Sequence, residues 1–196
     1  MAVPGGLRER KKEATRRALH AAAMRLTAEH GLDDVTVEAI ADAAGVSRRT
    51  FSNYFGGKEE ALLYGAERRM AALLAAFESR PADESSWTAL RAALSALRER
   101  PEEPDPQWAA QARLAREHPS VLARLLRQYA EFERRLADLI AARSDLPPGD
   151  VRSRVMAGAF MTALRIAAST GIEERPLRPL TELAEETLTE MARPFD

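Results

Sequence analysis

The sequence predicts an all-α protein of about nine helices, with a small N-terminal domain followed by a larger helical bundle. Apolar residues recur every three or four positions through most of the chain, and glycine or proline interrupts each periodic segment. Between residues 36 and 55, two short periodic segments flank a three-residue turn, which predicts a helix, a turn and a helix. We therefore place one domain at residues 1–57 and a second at residues 58–196.

The first predicted helix spans about residues 7–30, and Gly31 is suited to end it. Residues 1–6 have turn composition and are predicted to form a disordered arm. From Met1 to Arg25, seven basic residues stand against two acidic ones, an excess that favours attraction to phosphate. The alternative is a solvated basic helix face. The residues predicted to face the core are Ala14, Ala18 or Leu19, Ala22, Ala23 and Leu26.

The second and third predicted helices meet at the turn of residues 45–47. Thr36 is suited to cap the second helix, and Gly45 can take the left-handed conformation that closes it. Ser47 can cap the third helix, which we expect to run to Phe55 with Phe51 and Phe55 on its inner face. The apolar residues at helical spacing in the second helix are Val37, Ile40, Ala41 and Ala44.

The outer face of the third helix is polar, and no acidic residue lies between Ser47 and Lys58. Guanidinium groups suit guanine, amides suit adenine and hydroxyls suit phosphate, so this face matches the edges of a major groove. An ordinary helical hairpin with a solvated face is the alternative, and it leaves this composition unexplained. We interpret the stretch as a DNA-reading helix-turn-helix. Base contacts are predicted for Arg48, Arg49, Thr50 and Asn53, and phosphate contacts for Thr36, Ser47 and Tyr54.

The segment from Arg8 to Ala66 resembles the TetR family of bacterial repressors. The resemblance is carried by Thr-Val-x-x-Ile-Ala-x-x-Ala-Gly-Val-Ser-x-x-Thr-Phe-x-x-Tyr-Phe, which begins at Thr36, and by the Lys-Glu pair at Lys58. It implies a three-helix DNA-binding domain followed by a helical domain that senses a ligand and dimerises. It also implies a phosphate neighbour for Lys58, which lies at a predicted helix N-terminus that already favours anions.

Six further helices are predicted after the helix-turn-helix. The fourth continues from Lys58 to about Ser79, and such a long helix is a natural lever between the two domains. Three prolines at residues 101–106 end the fifth helix, and Pro119 opens the seventh. The sixth, eighth and ninth are placed at about residues 106–117, 150–170 and 176–192. The seventh has the most regular apolar stripe in the chain: Leu122, Leu125, Tyr129, Phe132, Leu136 and Leu139.

The last two predicted helices are expected to form a homodimer interface. The eighth helix is apolar over more than one stripe, so it needs cover on two sides. The alternative is a helix that is central in a monomer. A two-fold dimer would read two half-sites, so the predicted operator is a palindrome in double-stranded DNA. The small residues expected to allow close approach of helices are Ala157, Gly158, Ala159 and Ala163.

A small-molecule effector site is expected inside the second domain, between the fourth and eighth helices. Arg113 and Arg165 are possible anchors for an acidic effector, although exposed arginine is commoner. The sequence is also similar to actinobacterial regulators of this family, some of which are thought to sense acyl-CoA-like or hydrophobic compounds. The candidate pocket residues, for which plain core is the alternative, are Trp87, Trp108, Tyr129, Phe132, Met156 and Phe160.

Several kinds of chemistry are disfavoured by the sequence. It has no cysteine, no glycine-rich phosphate loop and no Gly-x-Ser-x-Gly motif, and His20, His30 and His118 lack metal-ligand spacing. We therefore expect no enzyme activity, no metal and no cofactor. No apolar run approaches the roughly 20 residues of a membrane span, and the charged N-terminus shows no export signal. These features predict a cytoplasmic protein. The alternative to a sequence-reading regulator is an architectural protein that coats DNA, and the acidic remainder of the chain argues against it.

Overall fold

The computed structural model describes residues 6–98, 107–174 and 178–191, and every regular element in these ranges is an α-helix. The all-α prediction is therefore confirmed. The predicted arm before Gly6 and the proline-rich break at residues 101–106 lie outside the described residues. The helices are α1 (Leu7–His30), α2 (Val37–Ala43), α3 (Arg48–Ser52), α4 (Lys58–Glu78), α5 (Ser86–Arg98), α6 (Gln107–Glu117), α7 (Pro119–Arg143), α8 (Val151–Gly171) and α9 (Leu180–Met191).

The chain forms two compact units, Met1–Gly65 and Ala66–Asp196. This division lies within α4, whereas the sequence analysis placed it between residues 57 and 58. The first two turns of α4 belong to the first unit because their apolar residues are buried and His20 of α1 donates its Nδ1 hydrogen to the carbonyl of Ala61 at 2.7 Å. The buried residues of these turns are Ala61, Leu62, Leu63 and Tyr64.

The core of the first unit is built around Leu19, Ile40 and Phe51, all of which are almost fully buried. Gly31 ends α1 as predicted, with a φ of +81° and its N–H bonded to the carbonyl of Thr27. The predicted inward stripe of α1 was wrong at Ala14, which is exposed, and of the alternatives Ala18 and Leu19 it is Leu19 that is buried. Alanine carries little apolar surface and is found on either face of a helix, so it marks the buried side poorly.

In the second unit, α8 packs against both α7 and α9. The cover that α8 was predicted to need is thus supplied in large part by its own chain. Ala157 and Ala163 are fully buried in this packing, so they do not serve the contact with a second copy that their small size suggested. The apolar stripe of α9 is likewise buried in the same core, through Leu183, Ala184 and Leu188.

The regular stripe of α7 is confirmed at Leu125, Phe132 and Leu136, which are buried, but it was wrong at Leu122. Leu122 is 42% exposed, and its neighbour Val121 is fully buried in its place. Both residues are apolar, so the sequence pattern alone could not tell which one faces inward. Pro119 stands in the first turn of α7 as predicted.

The C-terminal end of α4 is tied to α7 through Arg143. Its guanidinium donates hydrogen bonds to the backbone carbonyls of Arg80, Pro81 and Glu84 and lies 5.4 Å from the centre of the Phe77 ring. These carbonyls follow the last turn of α4, where backbone acceptors lack helical partners. Arg143 therefore fixes the end of α4 within the second unit.

Candidate DNA-binding surface and effector domain

The turn between α2 and α3 is held by hydrogen bonds within a short stretch of chain. The hydroxyl oxygen of Thr36 accepts the N–H of Ala39 at 3.1 Å, and that of Ser47 accepts the N–H of Thr50 at 3.1 Å. Gly45 has a φ of +69°, a left-handed conformation that favours glycine. The predicted caps of both helices and the predicted role of Gly45 are confirmed. These local contacts fix the direction of α3 relative to α2.

The third helix is shorter than the sequence predicted. It ends at Ser52, and Asn53 is its C-cap, whereas the prediction extended it to Phe55. The N–H of Tyr54 bonds to the carbonyl of Phe51 at 2.8 Å, so the chain leaves the helix in a tight turn before the two glycines at Gly56 and Gly57. Phe55 still packs inward, with its ring centre 5.9 Å from that of Phe51.

The predicted base-reading residues lie together on this element. Arg48, Arg49 and Asn53 are exposed, and Thr50 is half-buried against the helix start. Arg48 donates to Glu38 of α2 at 2.9 Å, an ion pair that the sequence analysis missed because it considered acidic residues only within the third helix. Both side chains of that pair are largely exposed, so water already screens it and a phosphate or base can compete for Arg48. The side chain of Arg49 contacts no described residue through an ion pair or hydrogen bond.

The predicted phosphate contacts divide into two groups. Thr36 and Ser47 use their oxygens as cap acceptors, which leaves the Thr36 hydroxyl hydrogen as a donor, whereas the Ser47 hydroxyl also shares a hydrogen bond of 2.9 Å with the Thr50 hydroxyl. Lys58, in contrast, is half-buried, and its ammonium donates to the carbonyls of Leu32 at 2.8 Å and Val35 at 2.9 Å. Lys58 therefore holds the loop between α1 and α2, a role that the sequence analysis did not foresee. One N–H of the ammonium remains for another acceptor.

His20 and Tyr64 join α1 to the start of α4. Besides the bond from His20 to Ala61, the two rings meet edge to face with centres 6.0 Å apart, and the Tyr64 hydroxyl donates to the carboxylate of Glu13. The guanidinium of Arg16 lies 5.8 Å from the centre of the Tyr64 ring. His20 was not predicted to face the core. Its apolar neighbours at helical spacing were the signal that it faces the core.

The six candidate pocket residues of the second unit all belong to its hydrophobic core. Trp108, Phe132 and Phe160 are buried, and Trp87, Tyr129 and Met156 are half-buried and pack against them. The rings of Trp87 and Phe160 meet edge to face with centres 6.5 Å apart. The structure therefore brings the six together, in the core arrangement that was the alternative to a ligand pocket.

A polar contact between α4 and α6 lies within the second unit. Arg69 of α4 donates to the side-chain oxygen of Gln111 of α6 at 2.6 Å, and Gln111 is only 3% exposed. Burial raises the pKa of the Tyr129 phenol on α7, while the guanidiniums of Arg69 and Arg165 act in the opposite direction. Arg165 was predicted as a possible anchor for an acidic effector, whereas Arg69 and Gln111 were not predicted to take part. Gln111 follows Trp108 by three residues, so its place on the inner face of α6 was readable.

Two family models match most of this chain. The model described as bacterial regulatory proteins, tetR family, matches residues 19–64, and the model described as the MftR C-terminal domain matches residues 84–196. The chain is also 36% identical over 170 residues to the HTH-type transcriptional regulator TcmR of Streptomyces glaucescens, an alignment that covers 83% of this chain and 75% of TcmR. The chain belongs to the TetR family.

Two further proteins support the TetR assignment. The putative mycofactocin biosynthesis transcriptional regulator MftR of Mycobacterium tuberculosis is 29% identical over 135 residues, which cover 69% of this chain and 68% of MftR. The crystal structure of Thermus thermophilus FadR, a TetR-family repressor in complex with lauroyl-CoA, superposes with a TM-score of 0.58 at 25% identity, covering 92% of this chain and 96% of that one. As a TetR-family member, this chain is a transcriptional regulator with a DNA-binding helix-turn-helix and is not an enzyme.

Among residues 6–98, 107–174 and 178–191, no helix combines the length and apolarity that crossing a bilayer requires. Within the same residues, no three His, Asp or Glu side chains are grouped closely enough to hold a metal ion.

Proposed function

We propose that this chain is a homodimeric repressor that binds a palindromic operator and releases it when a small, largely hydrophobic effector enters the second unit. The observation that carries the proposal is the face of α3, where Arg48, Arg49 and Asn53 are exposed side by side on a helix capped by Ser47. A TetR-family regulator that presents such a face has the side chains needed to read bases in a major groove.

We assign base contacts to Arg48, Arg49, Thr50 and Asn53, with Arg49 in the central role. An arginine contacts guanine O6 and N7 with two parallel hydrogen bonds, and Arg49 has no competing partner among the described residues. Arg48 must exchange its exposed pair with Glu38 for its DNA contact. The hydroxyls of Thr36, Ser47 and Tyr54 and the remaining N–H of Lys58 are assigned to phosphates, which fix register without reading sequence.

The homodimer is supported by apolar residues left exposed on α8. Val151 and Val155 are 71% and 64% exposed, and Ile166 is 43% exposed. Their spacing places all three on one side of the helix, with the half-buried Gly158, Ala159 and Thr162 between them. The outer residues of α9 are mainly acidic, so we place the centre of the interface on α8, with α9 beside it. An exposed apolar stripe of this kind marks a surface that a second protein chain can cover, and a two-fold axis would pair it with its own copy.

The effector is proposed to be hydrophobic because the second unit offers an aromatic core and few polar groups. Thermus thermophilus FadR, which shares this fold, was crystallised with lauroyl-CoA. We propose that effector binding shifts α4, which begins in the first unit and ends at the Arg143 contacts in the second. Two reading helices fit half-sites about 34–36 Å apart, so a change in their separation would release DNA. Only an effector that binds the released state more tightly can cause this change.

The experiment that tests the proposal is a binding assay with the purified chain and fragments of the intergenic DNA upstream of its own gene. Salt is varied, and nonspecific DNA competes. Saturable binding of two subunits to one palindromic fragment supports the proposal. Equal binding to all fragments indicates a sequence-independent DNA-binding protein. A reporter gene placed downstream of the bound fragment shows the sign of regulation. If the chain is a repressor, reporter expression rises when the gene that encodes the chain is deleted.

A further inference from the structure

Four polar side chains from four different helices lie in or at the edge of the core of the second unit, with Gln111 buried and Arg165 exposed. Arg69 comes from α4, Gln111 from α6, Tyr129 from α7 and Arg165 from α8. Gln111 is buried and accepts a hydrogen bond of 2.6 Å from Arg69, so this pair is fixed in place. Burial raises the pKa of the Tyr129 phenol, and against this larger effect the guanidinium charges of Arg69 and Arg165 both act to lower it. We call these four residues the cationic cluster.

The register of α7 against α8 supports this grouping. The two helices pack together and are joined by a short connection, so they run antiparallel. A Cβ atom on Gly158 would lie 3.5 Å from the Glu133 carboxylate, which pairs these two positions across the helices. Tyr129, one turn before Glu133, is then level with about residue 162, and Arg165 lies about one turn further along α8. An arginine side chain spans that separation.

The cluster has groups that the protein itself does not satisfy. The hydroxyl of Tyr129 forms no hydrogen bond within the described chain, although the side chain is half-buried. Arg165 is exposed and has no ion-pair partner among the described residues. A phenol hydroxyl that bonds to no described residue and is influenced by two guanidiniums is suited to an outside partner that accepts hydrogen bonds and carries negative charge.

Each member of the cluster also lies one helical turn from a buried apolar residue. Gln111 follows Trp108, Tyr129 precedes Phe132, Arg69 precedes Leu73, and Arg165 follows Met161. A molecule bound at the cluster would therefore have an anionic group among donors and an apolar body against the core. Because Arg165 is exposed, the charged end would lie at the surface of the unit.

We propose that the cationic cluster is the polar end of the effector site, and that the effector carries a carboxylate or phosphate group on an apolar body. This inference rests on the proposed effector site and adds the chemical class of its ligand. Arg165 and the Tyr129 hydroxyl contact the acidic group directly, and Gln111 holds Arg69 in position to do the same.

The test compares probes that share one apolar body and differ at the end: dodecanoate, dodecanoyl-CoA, dodecan-1-ol and free coenzyme A. Both tryptophans of the chain, Trp87 and Trp108, lie in the second unit, so tryptophan fluorescence of the full chain reports binding there. Dodecanoate or dodecanoyl-CoA is expected to bind at least about tenfold more tightly than dodecan-1-ol, since a hydrogen bond to a charged group contributes that much. Tighter binding of dodecanoate identifies a carboxylate ligand, and tighter binding of the thioester, with weak binding of coenzyme A alone, identifies the phosphates.

Three variants separate recognition from structure. Tyr129→Phe keeps the ring in the core, and Arg165→Gln changes an exposed residue, so both are expected to fold, which thermal melting checks. Each variant should bind the anionic probe about tenfold more weakly and should bind dodecan-1-ol as tightly as the unaltered chain does. Arg134→Gln on α7, also an exposed arginine, is the matched control and should change neither probe.

Three results would overturn the inference: equal binding of anionic and neutral probes, no binding of either anionic probe, or unchanged anionic binding in both cluster variants. The same titrations on operator DNA distinguish this failure from that of the proposed function. If dodecan-1-ol alone releases the DNA, effector control stands and the anionic class is wrong. If an anionic probe binds but leaves the DNA bound, the cluster is a ligand site and release by its ligand is wrong.

Discussion

The two units of this protein differ in the sequence distance over which their functional geometry is built. In the first unit, Thr36, Gly45 and Ser47 set the reading helix through caps and a turn whose hydrogen bonds join residues no more than five apart. In the second, the Arg69–Gln111 bond joins residues 42 positions apart, and the end of α4 is held by Arg143. One surface is locally encoded, and the other depends on the packing of the whole bundle.

This difference indicates how the two functions can change independently. A reading helix with its own caps keeps its direction whatever happens in the effector core. The effector core can exchange side chains without altering the turn. The exposed arginines of α3 then determine which DNA is read, while the polar groups near Tyr129 determine which molecule is sensed.

The largest effect is expected for Arg49→Ala. Loss of a bidentate contact with guanine costs about 1–3 kcal/mol at each half-site, so a dimer should lose roughly 2–6 kcal/mol on its operator. The loss of affinity should be confined to operators that keep the contacted base pair. Gel shifts on a set of operators with single-base changes measure this. Arg127→Ala is the matched control, since Arg127 is an exposed arginine on α7 in the other unit. Equal weakening by both variants would show that charge, and not base contact, is responsible.

Lys58→Met tests whether a predicted DNA contact is also a structural one. Loss of the hydrogen bonds to Leu32 and Val35 should lower the free energy of unfolding by about 1.5–3 kcal/mol, because the ammonium is charged and half-buried. Affinity should fall on all DNA sequences, and the slope of log affinity against log salt should decrease by about one for each subunit. A lower melting temperature with an unchanged salt slope would assign Lys58 to the loop alone.

Local signals explain what the sequence could predict. Thr36, Gly45, Ser47 and Pro119 act on chain neighbours, so their residue types were enough to place the caps, the turn and a helix start. The whole fold class and most helix boundaries follow from the same kind of signal. The end of α3 was missed because no breaker stands at Asn53; the glycines come later, and the tight turn at Tyr54 depends on the inward packing of Phe55.

Long-range contacts explain what the sequence could not predict. The pairing of Arg48 with Glu38 requires the angle between two helices, and the loop contacts of Lys58 require the fold of the first unit. Whether Val121 or Leu122 is buried depends on how α7 is rotated in the bundle. Because both residues are apolar, the sequence pattern does not determine this rotation. Gln111 and Arg69 meet only after α4 and α6 have packed.

Gly171→Ala measures how tightly the second unit is packed. A Cβ atom at Gly171 would lie 2.3 Å from Cδ1 of Leu183 and 2.8 Å from Cη2 of Trp108. Both neighbours are buried, so they must shift, and overpacking of this kind costs about 1–3 kcal/mol of unfolding free energy. Gly158→Ala is the control within the same helix: its Cβ would make an ordinary contact with Glu133, and alanine favours a helix over glycine by about 1 kcal/mol. The free energy of unfolding measured by chemical denaturation should therefore fall for Gly171→Ala and rise for Gly158→Ala.

The smallest effect, and the most direct comparison of the two units, comes from removing one cap in each. Ser47 caps α3 through the N–H of Thr50, and Asp150 caps α8 through the N–H of Ser153 at 3.0 Å. Ser47→Ala and Asp150→Ala should each cost about 1 kcal/mol of stability, because each leaves a helical N–H without its acceptor. Only Ser47→Ala should also weaken operator binding at a temperature where both variants are fully folded, because Ser47 caps the start of the reading helix and is also assigned a phosphate contact. If Asp150→Ala weakens operator binding as strongly, the direction of the reading helix depends on the effector bundle and is not locally encoded.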